Sequence, residues 1–249
     1  MNARLPDPLP AAAPVDARQS LGQLAVQLPG ATAVFRRLKL DFCCGGQVSL
    51  AQAAADKGLD LAALVDEFAA LQRSAAAPDP QQPTRALIEH IVTRFHEVHR
   101  MQLPELIRMA RRVEAVHRDH PQVPAGLADL LESAQGELLS HMLKEERVLF
   151  PLLAAGDGSF AGAPIAMMRA EHTDHGETLE RIGGLTRQMA PPDGACNTWR
   201  ALYAGLAQFR DDLIDHIHLE NNVLFPRFDA PQPASLATQG CGSTGCACG

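Results

Sequence analysis

Aromatic residues are scarce in this chain, with one Trp, one Tyr and nine Phe among 249 residues. Sheets fill their faces with aromatic and β-branched side chains. Here both are few while Ala, Leu, Glu and Arg abound, a mixture that favours helices. No segment approaches the roughly 18 consecutive apolar residues of a membrane span. The Pro-, Ala- and Asp-rich stretch from Met1 to Gln19 also lacks the apolar core of a secretory signal. Positive charge is short: Lys and Arg total 22 against 29 Asp and Glu, a net charge of −7 that argues against a nucleic-acid surface. A cytoplasmic protein with no membrane and no nucleic-acid partner is expected. In that compartment the six cysteines read as reduced thiols, available as ligands or redox groups in preference to disulfides.

What is present is helical periodicity interrupted by Pro and Gly. Residues 1–16 read as a flexible tail, and 17–74 as a small helical domain carrying Asp41-Phe42-Cys43-Cys44-Gly45-Gly46, whose glycines should break a helix. Residues 75–83, with three prolines, form a linker, 84–230 a bundle, and 231–249 a flexible tail with Cys241, Cys246 and Cys248. Within the bundle, four long helical patterns run roughly over Thr84–His117, Pro124–Leu153, Pro164–Met189 and Ala195–Phe225. Pro151 and Pro226 are expected to stop the second and fourth. Short connections between long helices predict an all-α, up-down-up-down four-helix bundle.

The chain also repeats itself. His141-Met-Leu-Lys-Glu145-Glu-Arg-Val-Leu-Phe-Pro returns as His216-Ile-His-Leu-Glu220-Asn-Asn-Val-Leu-Phe-Pro, and Phe95-His96-Glu-Val-His99 is matched by Glu171-His172-Thr-Asp-His175. A His and a Glu four residues apart lie one turn apart on one helix face and reach the same point. A single such pair is more often an ordinary surface contact. Two in register, each with a partner His on the preceding helix, predict a core site of His96, His141, Glu145, His172, His216 and Glu220. Four imidazoles and two carboxylates able to bridge suit two iron ions, with positions left for oxo, water or a diatomic molecule; zinc and manganese accept similar ligands. His99 and His175 could be further ligands or hydrogen-bond partners of ligands. His218 falls on another side of its helix. His90, His117 and His120 read as surface or helix-end residues.

These motifs, over about residues 18–228, resemble the repair-of-iron-centres family, di-iron proteins of the hemerythrin-like class. The double-Cys-Gly-Gly segment ahead of the bundle and both Val-Leu-Phe-Pro repeats carry the likeness. By position the family's ligands fall on the same six residues. The resemblance also implies an oxo- and carboxylate-bridged di-iron centre and an acidic channel at Glu137 and Glu171, for which the alternative is an exposed helix carboxylate. His175 and the cysteines of the C-terminal tail depart from the usual pattern.

Cys43 and Cys44 could contact a client, receive or pass iron, or pair with another subunit in a homodimer. They could also be small apolar residues buried at a helix break. The implied function is repair of iron–sulfur clusters damaged by nitrosative or oxidative stress through iron donation, with cluster proteins as clients. Alternatives on the same ligands are binding NO, or reducing it to N2O, and sensing O2, NO or iron.

Overall fold

The computed structural model describes residues 15–28, 30–74, 82–156 and 160–229. Most of the N-terminal tail, most of the 75–83 linker and the C-terminal tail with Cys241, Cys246 and Cys248 lie outside the described residues. Among the described residues every regular element is a helix. The all-α expectation holds.

Four short helices come first: α1 Leu21–Gln27, α2 Ala31–Leu38, α3 Leu50–Lys57 and α4 Leu61–Ser74. Ser20 caps α1 in a reciprocal box with Gln23, and Ser49 caps α3 by accepting from the backbone N–H of Gln52. These side chains satisfy amides that have no partner within the helix. The core of this unit is built on Phe35, Phe42 and Phe68 together with Leu21, Leu24 and Leu50. The ring of Phe35 lies 5.4 Å from that of Phe42 and 5.2 Å from that of Phe68.

Four rods follow. The first joins α5 Thr84–Ile91 to α6 Glu97–Val116 through a π-turn at Val92–His96, and the second joins α7 Leu127–Lys144 to α8 Phe150–Ala155 through a π-turn at Glu145–Leu149. The third is α9 Gly162–Leu185; the fourth is α10 Asn197–Leu219, continued by a π-turn at Glu220–Leu224 and a 3-10 turn at Phe225–Arg227. Pro151 does not stop its helix, contrary to expectation: it falls in the first turn of α8. The residue before it still donates its backbone N–H across the wide turn to the Glu145 carbonyl. A proline has no N–H to give, and here it sits where the π-turn hands back to α geometry.

Apolar layers set the direction of each rod. One cluster contains Leu103, Leu106, Leu131, Leu138, Leu179, Ile182, Phe209 and Leu213. A second contains Ile91, Leu149, Phe150, Ile165, Met168, Leu224 and Phe225. The first and third rods run from the second cluster to the first, and the other two run back, which makes the bundle up-down-up-down. Between the clusters every rod contributes a buried polar residue, so the site is a polar layer held between two apolar ones.

The first unit is docked on the bundle. Arg36 Nη1 donates to Asp215 Oδ1 at 2.5 Å, and Asn222 Nδ2 reaches the carbonyls of Phe42 (3.2 Å) and Cys43 (3.3 Å). Gly46 of the Cys-Cys-Gly-Gly segment and Gly22 serve this contact by leaving room. A Cβ on Gly46 would lie 2.4 Å from the Phe42 carbonyl oxygen, and one on Gly22 2.4 Å from Asn222 Oδ1. Gly136 is the opposite case, exposed within α7 with nothing within 4 Å. Gly46→Ala should therefore cost about 1–3 kcal/mol of stability through overpacking, while Gly136→Ala should add roughly 0.5–1 kcal/mol by improving helix propensity. Urea denaturation of the two variants at equal metal content checks the opposite signs.

Candidate metal centre

Each rod places its histidine or His/Glu pair at the same level of the bundle. His96, Glu145, His172, His216 and Glu220 are wholly buried, and His141 is 1% exposed. Two overlapping sets result: His96, Glu145, His216 and Glu220 on one side, and His141, Glu145, His172 and Glu220 on the other. Within each set the donor atoms lie within 4.8 Å of one another, and both carboxylates belong to both sets. The six residues singled out in the sequence come together here.

The imidazoles are aimed from behind. His96 Nδ1 lies 2.7 Å from Glu146 Oε1, His141 Nδ1 lies 2.8 Å from Glu171 Oε2, and His172 Nδ1 lies 2.9 Å from Asn221 Oδ1. Those acceptors place the proton on Nδ1 and turn the Nε2 lone pair inward. The anions behind are themselves held, Glu146 by Arg100 at 2.7 Å and Glu171 by Lys144. Aromatic rings stack on three of the four: Phe150 on His96, Phe225 on His172 and Phe95 on His216. The repeated Val-Leu-Phe-Pro thus supplies, in each half, the ring that packs its own upstream histidine.

This geometry fits cations. His141 Nε2 and His172 Nε2 face each other at 3.1 Å although both present lone pairs, and the His96 and His216 Nε2 atoms are also 3.1 Å apart. Two nitrogens at right angles on one ion, about 2.1 Å from it, would be about 3.0 Å apart. Both oxygens of Glu145 and Oε2 of Glu220 are buried with no donor aligned on them. Burial, reinforced by the neighbouring Glu220 carboxylate, pushes Glu145 well above the ordinary carboxylate range. Burial acts on Glu220 in the same sense, but His216 and His172 hold it well below that range. Burial also drives His141 down to about 2, keeping it in the neutral form that ligation requires.

The remaining candidates divide. Glu171 is half-buried and orients His141, whereas Glu137 is exposed and accepts from Ser133 Oγ at 2.8 Å. His99 and His175 are buried one turn further along but outside both sets, and burial lowers them to about 2 and about 4. The ring of His99 lies 5.5 Å from His216, and that of His175 lies 5.0 Å from His141. His218 is outside both sets; it packs on Phe42 at 5.2 Å, with its Nδ1 3.1 Å from Asn222 Nδ2. His90 is exposed, and half-buried His117 and His120 flank Trp199 at the far end of the bundle.

Asn221 escaped the sequence reading. It holds His172 through Oδ1 and donates from Nδ2 to the Cys43 carbonyl at 3.1 Å, while Cys44 Sγ points at the His172 carbonyl at 3.5 Å. The repeat contained the signal, since Glu146 and Asn221 occupy equivalent positions after Glu145 and Glu220 and orient equivalent histidines. The same alignment pairs Glu171 with Phe95, which cannot hydrogen-bond, and the Nδ1 of His216 is left without a partner.

Buried imidazoles and shared carboxylates at one level of an antiparallel four-helix bundle define a metal-binding bundle. Residues 87–228 match the family model described as the hemerythrin HHE cation binding domain, and residues 17–72 match ScdA_N, a domain of unknown function (DUF542). Among similar proteins, the iron-sulfur cluster repair protein YtfE of Dickeya chrysanthemi (strain Ech1591) is 52% identical over 84% of this chain and 96% of its own length. YtfE of Pectobacterium atrosepticum is 51% identical, with the same two coverages, and YtfE of Cronobacter sakazakii is 51% identical over 84% of this chain and 95% of its own. The chain belongs to the hemerythrin HHE cation-binding family.

Two measurements test the site. His141→Ala and His216→Ala should each lose most of the bound metal, while His218→Ala keeps it, read by elemental analysis after anaerobic purification. Full metal retention in both ligand variants would refute the assignment. Asn221→Ala should weaken metal binding roughly 10- to 100-fold, the usual effect of removing a residue that orients a ligand, as read by chelator competition.

Proposed function

We propose that this protein repairs iron–sulfur clusters by supplying iron, with cluster proteins as its clients. In this reading two iron ions are held by His96, His141, Glu145, His172, His216 and Glu220. The observation that carries it is the composition of the buried donor set, four imidazole nitrogens and two shared carboxylates without a thiolate. Such donors hold ferrous iron less firmly than the sulfur sites of a cluster apoprotein, so transfer runs toward the client. The names of the relatives support the same reading.

The bound irons would supply exchangeable ferrous iron and open coordination positions for a small ligand such as NO or O2. The residues around them do the rest. Glu146, Glu171 and Asn221 orient three of the imidazoles. Phe95, Phe150 and Phe225 shield the rings from water. Glu171 and Lys144 stand beside His141 at the half-buried margin, a polar path outward from the layer. The reading of the six cysteines as reduced thiols supports a cytoplasmic setting for this activity.

Iron-loaded protein mixed with an iron-depleted cluster hydratase under reducing, anaerobic conditions should restore hydratase activity. Glu145→Ala and Glu220→Ala, which load poorly, should not. Equal restoration by free ferrous iron at the same concentration, with no gain from the protein, would overturn the donor role. Replacing both Cys43 and Cys44 with Ser should leave the bundle's iron intact and slow restoration.

A further inference from the structure

We infer that Asp41, Cys43 and Cys44 form a second, mononuclear metal site, for a thiophilic divalent cation such as ferrous iron or zinc. Its donors belong to neither buried set, although Cys44 Sγ lies 3.5 Å from the His172 carbonyl, and it can be tested whether or not cluster repair is correct. Cys43 Sγ and Cys44 Sγ are 3.7 Å apart. Two thiolates about 2.3 Å from one ion at the tetrahedral angle would be separated by about 3.8 Å. Asp41 Oδ1 lies 3.4 Å from Cys43 Sγ, close to the roughly 3.5 Å expected of an oxygen and a sulfur on the same ion. All three donors lie within 4.8 Å of one another.

The loop holds this arrangement ready. Asp41 Oδ1 accepts from the backbone N–H groups of Cys43 (3.2 Å) and Cys44 (3.0 Å), and Oδ2 accepts from Gly45 at 2.8 Å. A Cβ on Gly45 would lie 2.8 Å from that oxygen, so the glycine permits the carboxylate's position. Adjacent cysteines in extended chain direct their side chains apart; here the turn around Asp41 brings both sulfurs to one side. They open on a cavity of about 360 Å3 lined also by Phe42, Thr173, Gly176 and Met189. Three protein donors and an open side leave the fourth position to solvent or to an incoming ligand. The contact with Cys44 and burial raise the Cys43 thiol, while the contact with Cys43 lowers Cys44. Binding of the dication sends both thiol protons to solvent, so net charge at the loop is conserved.

Cobalt(II) is the probe, because sulfur ligation gives a near-ultraviolet charge-transfer band that nitrogen and oxygen ligation in the buried layer does not. The full chain would carry Cys241→Ser, Cys246→Ser and Cys248→Ser, be loaded with iron in the bundle, and be kept anaerobic with a phosphine reductant. One equivalent of cobalt should saturate the band. Cys43→Ser or Cys44→Ser should abolish it, and Asp41→Asn should weaken binding on the order of tenfold, with bundle iron unchanged in each. In the chain with native Cys43 and Cys44, cobalt should also protect both thiols from alkylation by iodoacetamide, located by peptide mass spectrometry. Absence of the band, its survival in Cys44→Ser, or equal alkylation with and without cobalt would overturn the site. Cobalt binding without cluster restoration, or restoration without cobalt binding, separates this inference from the repair reading.

Discussion

Two carboxylates with almost no hydrogen-bond donors sit at the centre of this molecule, and the architecture follows from keeping them there. Removing an ionised carboxylate from water costs several kcal/mol even after relaxation, and Glu145 and Glu220 are both wholly buried. Three of the imidazoles around them are held through Nδ1 with the Nε2 lone pair inward, a donor set that suits a bound cation. The apolar clusters above and below hold that charge in a dry layer, where attraction between ion and carboxylate is strong. Each rod must then cross from one cluster to the other and deliver its polar residue at a fixed height. Three of the four rods carry a π-turn at that height, starting at Glu145 and at Glu220 and ending at His96. A wide turn inserts one residue into the local winding and so re-aims a side chain without ending the helix.

The duplication is close but not complete, and its departures carry information. Glu146 and Asn221 orient equivalent histidines, yet one is an anion tied to Arg100 and the other a neutral amide tied to the Cys43 carbonyl. An anionic partner makes its imidazole a stronger donor than an amide does. Phe95 stands where Glu171 stands in the other half and stacks on His216 in place of hydrogen-bonding it. The two sides of the centre therefore present different electrostatic surroundings. The side containing His172 is the one connected to the Cys-Cys loop.

Much of this was legible in the residues. The His-x-x-x-Glu repeat and the His-x-x-His match upstream of each copy identified all six inward-facing side chains, because helical spacing converts directly into shared faces. The four rods followed from Pro- and Gly-bounded periodicity. The π-turns were not legible, since one extra residue per turn leaves the apolar pattern nearly intact; the misplaced stop at Pro151 came from that. Asn221 was passed over because it differs from its counterpart Glu146, although the difference marks a site where the first unit touches the layer. Glu137 shares its helix face with His141, but that face has turned to solvent one turn earlier. Gly45 and Gly46 read in the sequence as a helix break, and the close approach of Asp41, Phe42 and Asn222 is what each glycine accommodates.

Neither set of donors belongs to one half of the chain. His96 from the first repeat shares its set with His216 from the second, and His141 shares with His172, while each half contributes one of the two common carboxylates. A polypeptide containing a single repeat would own two histidines and one glutamate and could complete the layer only by pairing with another copy of itself. Joining two repeats in one chain makes that pairing intramolecular, so the centre assembles at any dilution and the two partners are free to diverge.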